Sequence, residues 1–486
     1  MDPEVGDIVI ACVDDDIDQG VPDSIDHRLL LCRCILPLRT IDVQRLIEAG
    51  RRSRIEGMSE FRIIGGKPAS GEVTISGNKN AALPALAATL LTDECVTLSN
   101  VPEIEDVTVM IALLENLGST VRREAQGTYT IQSGTRSSLL DKELVQRVRG
   151  SILLLGPLLV RNGAITIPPP GGDVIGHRRL DTHFLGLTAL GAQAKLTEDG
   201  SLHFSVKANN LIGGEVFLDE ASVTATENVI MAAALAQGET TIINAACEPH
   251  VQDLCNLLVA MGSSIQGIGS NRLSITGVKV LRGASFSLGF DYMEAGSFIG
   301  LAAATKGELL IKGIEHQHMR MLKVGFERIG IDWIADGPSS ILVPRQQRRV
   351  LAKELGGQTA KIDSAPWPGF PADLLSIITV ASTQSQGSIL IHEKMFESRM
   401  YFIDWLIRMG ADIILCDPHR AVVQGPSALI ASVLSSPDVR AGMALVIAAA
   451  AARGESVIQN IYQIERGYED LGKKLRSLGI DVVRRD

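Results

Sequence analysis

Hydrophobic and polar positions alternate along "MSEFRIIGGKPASGEVTISG", Met58 to Gly77, between glycine turns, and predict short strands. The pattern then changes. Alanine-rich runs recur that are apolar on most of their circumference: "NAALPALAATLL", "NVIMAAALA", "SFIGLAAAT" and "AGMALVIAAAAA". A helix apolar all round is a buried helix. Strand text opening on glycine follows three of these runs, in "GETTIINA", "GELLIKG" and "GESVIQN". A second helix then closes on a glycine, in "LLENLGST", "LTALGAQA", "LVAMGSSI", "FERIGIDW", "LIRMGADI" and "LRSLGIDV". Glycine just past a helix end is the expected left-handed cap.

These marker glycines are 118, 191, 262, 330, 410 and 479, so the spacings are 73, 71, 68, 80 and 69 residues. Six copies of one unit predict an α/β protein of six βαβαββ repeats, each with two helices and four short strands. Six such units can close into two groups of three, helices inside and sheets outside. The length of 486 residues allows more than one domain.

Residues 1–57 break the pattern. They hold twelve acids and seven arginines but no lysine, hence −5 of the net charge of −10. They read as an extension, weakly ordered or partly helical. The acidic balance argues against nucleic acid as a main partner, whose recognition starts from a basic face. Only 4% of residues are aromatic, so the core is aliphatic. Seven scattered cysteines do not form a disulfide framework. Cys32/Cys34 and His316/His318 each lack the further ligands that a metal site needs, so no metal is expected. No secretory leader stands at the start, and no apolar run reaches the ~20 residues of a membrane helix. A cytoplasmic, monomeric protein is the expectation.

One stretch does not read as packing: "IPPPGGDVIGHRRLDTH", Ile167 to His183. Prolines and glycines exclude regular structure. Asp173 follows two glycines, and charged residues crowd behind it. Two readings stand: a solvated surface turn, or a mobile loop bringing a proton donor to an anion.

The motifs "SGNKNAALP", "GPLL…PGGDVIGHRRLDTH", "ASVTATEN", "GFPAD", "FESR", "DVRAG" and "IERGYEDL" occur in order from Phe61 onward. In them the chain resembles the enolpyruvyl transferases. The resemblance implies a two-domain inside-out α/β barrel. One domain would be 79–289 with the loop 167–183, the other 58–78 plus 290–486, with substrates in the cleft between them. It implies transfer of the enolpyruvyl group of phosphoenolpyruvate to the 3-hydroxyl of UDP-N-acetylglucosamine with release of phosphate, without cofactor.

Residue by residue, the resemblance assigns Lys79, Asn80, Arg178, Arg440 and Arg466 to phosphoenolpyruvate. A lysine opening a buried helix sits where an anion is favoured, though such a lysine alone is usually a solvated charge. Arg149, Arg178, Arg179, Leu180, Asp181 and Thr182, with His183, match the segment that holds the nucleotide. Glu220, Ala221, Ser222 and Val223 match the turn that takes up the diphosphate, and Met395 matches an apolar wall of the sugar pocket. Asp373 is the implied base, although an acid after proline also suits a helix N-cap. Asp438, Asp291 and Glu248 match polar residues of the cleft.

The chain departs from the family pattern at four places. Glu220 stands where lysine is frequent, so its side chain is expected to turn away. Thr224 replaces a frequent glycine, and Leu153 a tryptophan found in some members. Asp173 stands where many members carry the cysteine proton donor. An ordinary Asp, with pKa ~3.9, is ionised at pH 7, so the donor would have to be assembled by a bound anion and a closed loop. Two other functions fit the same fold: transfer to a different nucleotide acceptor, and a catalytically silent paralogue that binds UDP-sugars.

Overall fold

In the computed structural model the described residues are 59–134, 140–172, 178–206 and 211–486. Residues 1–57 and the proposed donor Asp173 lie outside them. Gly57–Asp486 forms one compact unit.

All six marker glycines have positive φ, from 74° to 101°, one residue past the C-cap of a helix. The helices they end are Glu105–Asn116, Asp181–Ala189, Pro249–Ala260, Arg320–Arg328, Ile403–Arg408 and Leu471–Ser477. The alanine-rich runs are buried helices, and Leu375–Ser382, LSIITVAS, joins two of them at the centre of one half. Every residue of Tyr292–Thr305 and of Leu375–Ser382 is buried, as are Val439 to Ala450 of Val439–Ala451. These three pack pairwise on one another. Small residues let them approach. A Cβ on Gly300 would lie 2.4 Å from Cγ2 of Ile377, and one on Gly296 2.7 Å from Cδ1 of Leu374.

Among the described residues there are five four-stranded sheets and one three-stranded sheet. Each four-stranded sheet has one parallel edge pairing and two antiparallel ones. Three strands are borrowed over long distances, among them Ser70–Thr74, which pairs with Glu308–Lys312. Ser285–Ser287 pairs with Val96–Ser99. Glu60–Gly65 inserts between Gly454–Gln459 and Asp481–Arg485.

The buried apolar side chains form two clusters, one from Ala81 to Leu288 and one from Phe61–Ile75 with Phe290–Val482. The chain passes between them twice, side by side. Gly77 and Phe290 form an antiparallel bridge, and Asn78 N–H donates to Gly289 O at 2.9 Å.

Candidate active site

A cleft of about 540 Å³ opens between the two clusters, lined by residues of both. Its cationic side begins at the helix Lys79–Ala88. Asn78 caps that helix, its side chain accepting from Asn80 N–H at 2.8 Å. Lys79 Nζ pairs with Asp106 Oδ2 at 2.6 Å, and Arg466 Nε with Asp106 Oδ1 at 2.8 Å. Burial alone would raise the Asp106 carboxyl, but the two cations outweigh it and hold it below its ordinary value. Lys79 and Asp106 come from one cluster's segment and Arg466 from the other's, so this triad spans the cleft.

The second charged group comes from the half that also supplies Arg466. Asp373 accepts from Arg399 Nη2 at 2.6 Å and from Arg440 Nε at 3.0 Å. Burial raises its carboxyl, but the two guanidinium groups prevail and hold it far below the carboxylate range. The N-cap alternative for Asp373 is corrected: it sits within the 3₁₀ turn Ala372–Leu374, and its oxygens go to arginines. Asp438 is the N-cap of Val439–Ala451 instead, accepting from Arg440 and Ala441 N–H. Asp291 likewise caps Tyr292–Thr305 and is buried; its neighbour Tyr292, not Asp291, reaches the cleft.

Arg149 donates to Arg178 O at 2.9 Å, and both line the cleft. Burial, with Arg178 beside it, lowers the Arg149 guanidinium to about 10. An arginine so placed is favoured by an incoming anion. Arg179 borders the cleft while pairing with Asp181 and Asp219 at 2.9 and 3.0 Å. Thr182 is buried and donates to Asp219 at 2.9 Å and to Glu220 at 3.2 Å. Leu180 caps the helix Asp181–Ala189. Leu180, Asp181 and Thr182 are not among the residues that line the cleft. Glu220 borders the cleft, and its carboxylate accepts from the hydroxyl of Thr182, a buried residue that does not line it. Ala221, Ser222 and Val223 lead into the helix Val223–Ala233, with Ser222 as N-cap but no side-chain capping bond. That leaves the amides of a helix N-terminus facing the cleft. Met395 is 40% exposed and lines it too.

Sequence reasoning missed Asp106, Arg399, Glu227 and His250, all in the cleft lining. Arg399 lay inside the motif "FESR" without a role, whereas Asp106 had no local signal. Burial, reinforced by Glu248, pushes the Glu227 carboxyl well up, and burial lowers the His250 imidazole to about 4. Among the described residues no group of His, Cys, Asp and Glu could hold a metal, and no helix is long and apolar enough to cross a membrane.

Two halves with helical cores and sheet walls, and a cationic cleft between them, define the class of the 1-carboxyvinyl (enolpyruvyl) transferases. The family model for EPSP synthase (3-phosphoshikimate 1-carboxyvinyltransferase) matches residues 63–475, and the chain belongs to that family. More particularly, it is 55% identical over 426 residues to the UDP-N-acetylglucosamine 1-carboxyvinyltransferase of Treponema denticola, covering 87% of this chain and 99% of that one. The enzyme of the same name from Bradyrhizobium diazoefficiens is 50% identical over 426 residues, 87% and 98% of the two chains. The enolpyruvyl transferase NikO from Streptomyces tendae has the same fold, with a TM-score of 0.77 at 24% identity over 88% of this chain and 99% of that one.

Proposed function

We propose that the protein transfers the enolpyruvyl group of phosphoenolpyruvate to the 3-hydroxyl of UDP-N-acetylglucosamine and releases phosphate, the first committed step of peptidoglycan synthesis. The observation that carries this reading is the 55% identity across nearly the whole of a relative of that name. The cleft supplies the chemistry. Lys79, Arg440 and Arg466 receive the phosphate and carboxylate of phosphoenolpyruvate, with Asn80 and Arg178 beside them. The amides at Ser222–Val223 and the guanidiniums of Arg149 and Arg179 take the diphosphate and nucleotide. Met395 bounds the sugar.

In the addition step Asp373 accepts the hydroxyl proton as the sugar oxygen bonds to C2 of the enol, while Asp173 protonates C3. Loss of a proton from C3 and departure of phosphate then regenerate the double bond. Asp373 held by two arginines is a poor base. An arriving phosphate, more highly charged, draws Arg440 from it, so base strength rises as the substrate seats.

Phosphate release from phosphoenolpyruvate tests the reading, with UDP-N-acetylglucosamine, uridine monophosphate and shikimate 3-phosphate as separate acceptors. Turnover is expected with the UDP-sugar and is expected to fall by about 10²-fold or more in Asp173→Asn, whose amide cannot serve as the acid. No release with the UDP-sugar overturns the reading.

A further inference from the structure

The sugar wall of the cleft rests on a chain reversal that has no regular structure. The strand Gly387–His392 ends, and residues 393–396 turn back with Met395 and Phe396 facing the cleft. A reversal of this kind leaves backbone N–H groups that need partners. One buried pair supplies them. Glu393 Oε1 accepts from Met395 N–H at 2.8 Å, from Phe396 N–H at 3.2 Å and from the Ser364 hydroxyl at 2.7 Å. Ser364 Oγ in turn accepts from Lys394 N–H at 2.8 Å. Three successive amides of the turn are thus gathered by two side chains with no solvent exposure.

The same turn reaches the chemistry. The guanidinium carbon of Arg399 lies 4.9 Å from the Phe396 ring centre, and Arg399 holds Asp373. Moving Phe396 would therefore move the group that clamps the base.

We propose that Glu393, with Ser364, is a positioning residue for the acceptor: it fixes the Met395–Phe396 wall against which the sugar is oriented, without touching either substrate. The inference rests on the transferase reading above. What it requires of Glu393 is an acceptor oxygen, not a charge. Burial pushes the Glu393 carboxyl up, against the opposing hydroxyl, amides and Arg399, which is consistent with that division. Gln offers the same oxygen to the same three donors, whereas Ala offers none.

The test is steady-state kinetics on the full chain with Glu393→Gln, Glu393→Ala and Ser364→Ala, with phosphoenolpyruvate and UDP-N-acetylglucosamine varied in turn. Glu393→Ala and Ser364→Ala are expected to raise the acceptor KM about tenfold or more with the phosphoenolpyruvate KM within about twofold, as loss of uniform binding on one side requires. Glu393→Gln is expected to stay within about threefold of wild type on both. Thermal melts identify folded variants, and Ser364→Ala carries the test should Glu393→Ala not fold. An unchanged acceptor KM in a folded variant, a parallel rise for both substrates, or a Glu393→Gln variant as impaired as Glu393→Ala overturns the proposal. Wild-type turnover separates the two failures: if it is absent, the transferase reading falls; if it is present with acceptor KM unmoved, only the role of Glu393 falls.

Discussion

Asp106 gives two cations of the cleft a shared counter-charge. It therefore competes with any phosphate for Lys79 and Arg466. Removing its charge takes a shared counter-charge from two buried cations, a loss of about 3–5 kcal/mol when one partner of a buried pair is taken away. Asp106→Asn is expected to lower Tm in phosphate-free buffer, and added phosphate is expected to raise its Tm more than that of wild type, because the anion binds the folded state alone. Calorimetry with and without phosphate checks this; equal phosphate responses would contradict it. The residue was invisible in sequence for a simple reason. "EIEDV" reads as acids opening a helix, and the partner that gives Asp106 its meaning lies 360 positions away. Asp373 was visible only as part of a motif, and its partner Arg440, 67 positions on, displaced the capping role that local sequence suggested.

Elements were more legible than side-chain partners. A helix that must end in left-handed backbone leaves a glycine behind, and all six marker glycines have that backbone. A helix surrounded by other helices must be small and apolar all round, and the alanine-rich runs declare it. Borrowed strands left no such trace, because a strand's partner is chosen by topology and not by its own residues. Glu60–Gly65 reads the same whichever sheet receives it. Close packing of the central helices makes a prediction at this scale. Gly300→Val puts two methyls where a single Cβ already meets Ile377 at 2.4 Å. The variant is expected to lose about 1–3 kcal/mol in urea unfolding, the range for overpacking, with KM values of the folded protein unchanged. Wild-type stability would show that these helices can shift apart.

The two halves communicate through two adjacent crossovers, and one carboxylate is fixed to them. Asp253 Oδ2 accepts from Gly289 N–H at 2.9 Å. Burial, with Glu315 adding to it against the Gly289 bond, raises Asp253 to about 6. The unfolded value is near 3.9. Between the two the folded protein binds more protons, so a contribution present below pH 3.9 is lost as pH rises through 6. Asp253→Asn keeps an acceptor for Gly289 and has no charge to bury. It is expected to gain about 1–2 kcal/mol over wild type at pH 8, a figure reduced for partial solvent contact, and little at pH 4. Urea midpoints at the two pH values check this; an equal gain at both would rule out titration as the cause.

The borrowed strand also sets a timetable for biosynthesis. The cluster from Ala81 to Leu288 is contiguous, so its parts have all left the ribosome once residue 289 has emerged. The strand Glu60–Gly65 appears earlier still, but the strands on either side of it begin at Gly454 and Asp481, 394 and 421 residues later. At ~5–20 residues per second it waits roughly 20–80 s with both edges unpaired. One half of the enzyme can finish during translation, while the other holds an apolar edge open until the last residues are made. The newborn chain is most exposed to mispairing and to chaperones in that interval.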